Sequence, residues 1–320
     1  MVATDDRRAQ LILVGAVSLA LIIIGLTVVL NTVLFTSTVT TDVTVDASDD
    51  AVRFDQTARE GTRSLVLRMN HRDKNFSRPQ LRDSVVRNVT NYTRLLRESY
   101  TVSRPVFVNV SYNNVTYGQR VVQSEDGTFE SPTTPSVSDW EVVENSDRVA
   151  VGRFVVNLNV SGMNSDEFNI TIRNASESVD IGIQRNNTGG ATKVDISTER
   201  THGPNTGNVQ CFAVRGRVLL DVLDGESFNS ECAFNATENL DPPYSVEISD
   251  GGRANGRYSL VARSNVSANF GGSYDFCGDP AVTGFTDPCQ VPAIWSTNVT
   301  MAYSSTEIDY ERRHNLSIYP

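Results

Sequence analysis

The chain has 320 residues, with 38 acidic against 28 basic side chains, a formal charge of −10 and 39% apolar residues. That balance argues against a nucleic-acid partner, whose phosphates need a basic face. Apolar residues recur in patterned segments, which excludes wholesale disorder, and the length allows one or two domains with a sizeable core.

Residues 11–35, LILVGAVSLALIIIGLTVVLNTVLF, carry no charge. About 20 apolar residues cross a bilayer, and no other stretch of the sequence approaches this one. Arg7 and Arg8 precede it, and no Lys or Arg follows until Arg53. The positive-inside bias then puts residues 1–10 in the cytoplasm and everything after about residue 36 outside. A cleaved secretory signal predicts a shorter apolar region and a small-residue box. This run ends in Leu34-Phe35-Thr36-Ser37-Thr38, so a retained single-pass helix in contact with membrane lipid is expected. Ala16 and Ala20 form a small-xxx-small pair suited to close helix packing in lipid.

Residues 36–50 are Thr- and Asp-rich and read as a linker, either a solvated stalk or a short strand with Val39, Val43 and Val45 alternating. Residues 51–99 read as a helical region. Asp49 and Asp50 are candidate caps for a helix starting near Ala51, with Val52, Ala58, Leu65 and Met69 on a loose stripe. Pro79 suits a helix start. After it Leu81, Val85, Val89, Tyr92 and Leu96 recur every 3–4 residues, an amphipathic pattern. The spacing predicts two helices separated by residues 71–78. Their Arg-rich outer faces pair with nearby acids or meet anionic lipid headgroups.

From residue 100 the apolar period becomes two. Segments 105–112 and 115–122 predict a hairpin turning at Asn113-Asn114. Further strands are expected at 149–160, 168–173, 179–184, 192–196, 214–222, 244–248, 258–263, 294–303 and 315–319. This pattern predicts a largely antiparallel sheet or sandwich. Residues 131–138, SPTTPSVS, read as a linker. The fold class expected is α+β: an N-terminal transmembrane helix, a short helical region and a mainly antiparallel β-rich extracellular domain spanning 100–320.

Four Cys, at 211, 232, 277 and 289, all follow the apolar span. An even count outside the membrane predicts two disulfides. Three pairings are possible; the sequential one, Cys211 with Cys232 and Cys277 with Cys289, closes the shortest loops. Thirteen Asn-x-Ser/Thr sequons occur, at Asn75, Asn88, Asn91, Asn109, Asn114, Asn159, Asn169, Asn174, Asn186, Asn235, Asn265, Asn298 and Asn315, against about 5 expected from composition. The excess points to a surface glycoprotein.

The sequence carries no phosphate-binding loop, no Gly-x-Ser-x-Gly and no His-Glu-x-x-His. No catalytic residue, cofactor or metal ligand is assigned. A triad assembles from distant residues, so an anchored hydrolase built on His202 or His314 stays as a third reading. The acidic stretch at Asp221, Asp224 and Glu226 lacks calcium-loop spacing and reads as an acidic turn. Asp279 and Asp287 are the remaining weak cation candidates.

Only two of the 28 basic residues are Lys, Lys74 and Lys193. Few Lys with Arg in their place and many Asp resembles the pattern of haloarchaeal proteins, where a carboxylate surface holds water under strong salt screening. Arg7-Arg8-Ala9-Gln10, directly before the apolar run, is similar to the class III signal of archaeal pilins and archaellins. That resemblance implies a cytoplasmic leader at 1–9, cut by a prepilin peptidase between Ala9 and Gln10, and a transmembrane helix at 10–35. The whole plan of leader, apolar helix, adjoining helices and β-rich head resembles haloarchaeal type IV pilin-like membrane proteins. It implies a minor pilin or pseudopilin-type structural subunit that packs with other pilin-like subunits and is not an enzyme. The alternative is a single-pass cell-surface glycoprotein with a binding or envelope role and no filament.

Overall fold

The structure, a computed structural model, describes residues 43–319 apart from 73–76, 103–104, 133, 135, 203–205, 235–236, 238–239, 264–276 and 278–286. The leader and the uncharged span lie outside the described residues. Among the described residues, no helix is long and apolar enough to cross a membrane. The chain divides into two compact units, Met1–Asp49 and Asp50–Pro320. Of the first, only residues 43–49 are described, as the opening of helix α1.

Helix α1 spans Val43–Arg72. Residues 43–50, expected as the end of a stalk or a strand, are therefore helical, and Asp49 and Asp50 lie inside the helix rather than capping it. Extending a formed helix costs far less than nucleating one, so modest formers such as Val43 and Thr44 are carried along. The buried stripe is Ala51, Phe54, Asp55, Ala58, Thr62, Val66, Met69 and Asn70, a 3–4 residue repeat that faces one side. Val52, placed on the stripe from sequence, is 64% exposed. Helix α2 spans Arg78–Thr101 after an N-cap at Ser77. The Ser77 backbone N–H donates to Gln80 Oε1 at 2.9 Å, half of a capping box, and Pro79 sits in the first turn. Leu81, Val85, Val89 and Leu96 are buried as the periodicity predicted. Tyr92 is half-buried, and its hydroxyl donates to Thr57 O at 3.1 Å. The two helices cross closely there, since a Cβ on Gly61 would lie 2.0 Å from the Tyr92 hydroxyl oxygen.

The remaining chain forms two antiparallel sheets. Thirteen strands are described: β1 (Phe107–Gly127), β2 (Trp140–Val143), β3 (Val151–Asn159), β4 (Phe168–Arg173), β5 (Ser178–Asn186), β6 (Lys193–Arg200), β7 (Thr206–Phe212), β8 (Arg217–Asp221), β9 (Glu226–Ser227), β10 (Ser245–Ser249), β11 (Gly256–Ala262), β12 (Cys289–Ser304) and β13 (Asp309–Ser317). The large sheet runs β13-β12-β1-β11-β3-β8-β9 and the small one β2-β10-β4-β5-β6-β7. The hairpin expected at Asn113-Asn114 is absent: β1 is one strand of 21 residues that passes through it. Pairing with β12 extends from Phe107↔Ser304 to Val122↔Cys289, with bulges at 112–114 and beside Trp295. Without a Gly to favour positive φ, Asn-Asn is a weak turn signal, and a long partner overrides it.

The large sheet is covered differently on its two faces. Beside β12, β13 and the first half of β1, the helices pack on Val108, Val110, Val299, Met301 and Tyr303. On the other face, around β11, β3 and β8, the small sheet contributes Phe168, Ile170, Ile172, Ile181, Ile183 and Ile196 against Phe154, Val156, Leu158 and Leu220. Strand β11 shows both environments. Leu260 and Ala262 face the small sheet, whereas Val261 faces the helices. Within the segment read as a linker, between β1 and β2, Ser131 N donates to Val137 O at 2.9 Å. Trp140 Nε1, at the start of β2, donates to Phe129 O at 2.9 Å.

Both disulfides have the sequential pairing, Cys211–Cys232 and Cys277–Cys289. The first ties β7, an edge of the small sheet, to the segment after β9 at an edge of the large one. It closes a separation of 21 residues, and loop closure of that size is worth about 3 kcal/mol. The double variant C211S/C232S is expected to lose about that much in denaturant unfolding of the oxidised protein. An unchanged midpoint would show that the sheets hold together without the bond.

Candidate functional site

Helix α1 meets the large sheet through two polar clusters set in apolar contact. The first centres on Asp55, which is 6% exposed. Its Oδ1 lies 2.6 Å from His314 Nε2 and accepts from the Tyr310 hydroxyl at 2.9 Å. Its Oδ2 lies 3.0 Å from Arg59 Nε, one helical turn on. Tyr310 and His314 lie four residues apart on β13 and so share its helix-facing side. Burial, and then the Asp55 carboxylate, pushes the Tyr310 phenol up.

The second cluster lies at the other end of the helix. The Asn70 carboxamide both donates to and accepts from one β12 residue: Nδ2 donates to Ile294 O at 2.8 Å and Ile294 N donates to Oδ1 at 2.8 Å. Pairing of β13 with β12 stops at Ser296↔Ser317, and Ile318 N then donates to Trp295 O. One residue further on, Asn70 supplies the donor and acceptor that a continuing strand would have supplied. Its Nδ2 also donates to the Tyr319 hydroxyl at 3.1 Å. Arg120, 5% exposed, donates from Nη1 to Asn70 O at 2.7 Å and from Nε to Ser259 Oγ at 2.8 Å. Burial lowers the Arg120 pKa and pushes the Tyr319 phenol up to about 12. His71 presents its ring edge to Tyr319. Burial first, then the Arg120 and Arg153 cations, lowers its pKa to about 4.

The carboxylate–imidazole contact at His314 is half of a nucleophilic constellation, which also needs a hydroxyl or thiol within reach. Among the described residues, no Ser, Thr or Cys is hydrogen-bonded to His314, and no cysteine is free. His202 is exposed after β6, and His71 lies in the second cluster, so the structure does not gather the three histidines. Among the described residues no group of His, Cys, Asp or Glu is arranged to hold a metal ion. Asp287 instead accepts from the backbone N–H groups of Ser124 and Glu125 at 2.7–2.9 Å. Asp221 is buried and paired with Arg153 at 3.2 Å, and burial raises its pKa. Asp279 lies outside the described residues.

The other residues singled out from sequence fall into three groups. Arg7, Arg8, Ala9 and Gln10, and the sequons at Asn75, Asn235 and Asn265, lie outside the described residues. All four Cys are bonded in pairs. None of Asn88, Asn91, Asn109, Asn114, Asn159, Asn169, Asn174, Asn186, Asn298 and Asn315 is buried. On the helices, the pairs Arg82–Asp83 and Arg94–Glu98 are solvent-exposed, so the Arg-rich face is at least partly internally paired.

Sequence reasoning missed Asn70, Arg120 and Tyr319. The available signal was Asn70 itself, a carboxamide four residues after Val66 on an apolar stripe, where a polar group needs partners. No protein-family model, no curated protein and no solved structure matches the chain.

The His71 shift sets the sign of an acid effect. A ring held neutral in the fold, against a free value of 6.5, stabilises fully above pH 6.5 and loses that contribution as the pH falls toward 4. Allowing for its partial exposure, the loss is on the order of 2 kcal/mol. Unfolding of H71F followed from pH 7 to pH 4 is expected to lack this part of the slope. An identical slope in both proteins would assign the acid sensitivity elsewhere.

Proposed function

We propose that the chain is a membrane-anchored, surface-exposed pilin-like structural subunit of the minor pilin or pseudopilin type. The observation that carries the reading is an order of parts. Arg7-Arg8-Ala9-Gln10 precedes the uncharged residues 11–35, and helix α1 follows them with its buried stripe on an antiparallel sheet. An outer domain whose first described helix belongs to its own core suits a filament subunit. The partners of this reading are membrane lipid, a prepilin peptidase and further pilin-like subunits. Residues 1–9 are cytoplasmic, and residues 100–320 form the extracellular head. The polar clusters on α1 then have a mechanical role, locking the helix to the sheet, and no catalytic one.

The second reading, a single-pass surface glycoprotein without a filament, draws on the two disulfides and the sequon excess, both of which fit any extracellular head. N-terminal mass analysis of the chain taken from its own membranes separates the two. The pilin reading expects a mature protein beginning at Gln10, and an R8A variant left uncut. A chain that retains residues 1–9 would overturn it and leave the unprocessed glycoprotein.

A further inference from the structure

Four sequons gather on one face of the large sheet. Helix-facing positions of β1 and β12 include Val108, Val110, Val299 and Tyr303, and β13 turns Tyr310, His314 and Leu316 to the same side. The residues between them face the other way. In an Asn-x-Ser/Thr sequon on a strand, the Asn and the hydroxyl share a face and the middle residue points to the opposite one. Asn109-Val110-Ser111, Asn114-Val115-Thr116, Asn298-Val299-Thr300 and Asn315-Leu316-Ser317 all place Val or Leu toward the helices and Asn outward.

Three of these asparagines stand in a row. Asn114 is the register partner of Asn298, and Asn298 that of Asn315. Asn113 donates from Nδ2 to Asn298 Oδ1 at 3.0 Å and to Thr300 Oγ1 at 2.9 Å. Asn298 is thus held by its oxygen. Asn109 is held likewise, accepting from Arg97 Nη2 at 2.8 Å. Elsewhere the amide nitrogen itself is engaged: Asn88 Nδ2 donates to Ser84 O, Asn174 Nδ2 to Asp241 O and Asn186 Nδ2 to Asp195 Oδ2.

Neighbouring in-register side chains sit about 5 Å apart, no wider than one sugar ring. Adjacent members of the row therefore compete for space, whereas Asn114 and Asn315 are two strand spacings apart, about 10 Å. Both are exposed, and the central Asn298 is half-covered. Strand β13 is a sheet edge, and β1 pairs with β11 only from Gln119 onward, so Asn114 also lies beside an edge free of strand pairing.

We propose that this face is N-glycosylated, with Asn114 and Asn315 as the acceptors and Asn298 left bare between them. The inference rests on the extracellular placement of the head and not on filament formation. The donor class is a polyprenyl-phosphate- or diphosphate-linked saccharide. The carboxamide nitrogen bonds to the anomeric carbon, the anomeric C–O bond breaks, the phosphate departs with that electron pair, and the amide proton passes to base. A glycan on Asn315 would also hinder the β13 edge from pairing with another chain, a hazard of exposed edges.

The test is glycopeptide mass spectrometry on the full-length chain purified from its own membranes, with peptides covering Asn114, Asn298 and Asn315. Saccharide mass on Asn114 and Asn315, with Asn298 unmodified, is the expected result. In N114Q/N315Q the corresponding mass is lost while the thermal unfolding midpoint identifies a folded chain. Saccharide on Asn298, or bare Asn114 and Asn315, overturns the proposal. The mature N-terminus read from the same sample judges the pilin reading separately.

Discussion

The paired strands β1 and β12 are the constraint on which the rest of the structure depends. A strand of 21 residues extends about 70 Å, further than one helix pair or one small sheet can cover. The apolar residues along it must still be kept from water. The fold answers with two different covers on opposite faces, overlapping near β11. Helices cover the half where Val108 and Val110 point to one side, and the small sheet covers the half where Val121 points to the other. The remaining outward face near β13 is left polar, as one-sided antiparallel sheets commonly are.

Where a cover ends, backbone groups need partners, and the polar residues of the core are found at those ends. Asn70 completes the β12 edge beyond the last residue of β13. Asp55 fastens the β13 edge through Tyr310 and His314. Asp287 caps the β1 amides at Ser124 and Glu125. Asn70 and Asp287 sit where a ladder stops and Asp55 lies along a sheet edge, places where an unmade hydrogen bond is costly. The histidine–carboxylate contact joins α1 to β13 in the same way.

Much of the fold was legible because burial imposes a period. The stripe of α2, the strands at 168–173, 179–184 and 258–263, and the disulfide pairing all follow from side chains having to face a core or from the shortest closures. Strands β2 and β9 and the first part of β13 went unread, and three further features show why. Strand β7, Thr206–Phe212, carries only Val209 and Cys211 as an alternating apolar pair, too short a run to read as a strand. Strand β1 runs through Asn113-Asn114 because its partner, far away in sequence, continues. The helical residues 43–50 depend on a helix already propagating. In each case a distant contact or a neighbouring element overrides local preference. The polar clusters on α1 were less legible still, since Asn70 and Asp55 meet partners more than 200 residues away. The sequons are visible as letters, but their alignment across three strands exists only in the register.

The two covers make a prediction about how the molecule opens. Hydrogen exchange of the full-length chain, compared with its N70A variant, tests it most directly. If Asn70 fastens the helix cover alone, N70A speeds exchange in β13 and at 294–303 of β12 while β4, β5 and β6 keep their protection. A uniform rise across both sheets, or no change at β12, would contradict the account of one strand pair held by two separable covers.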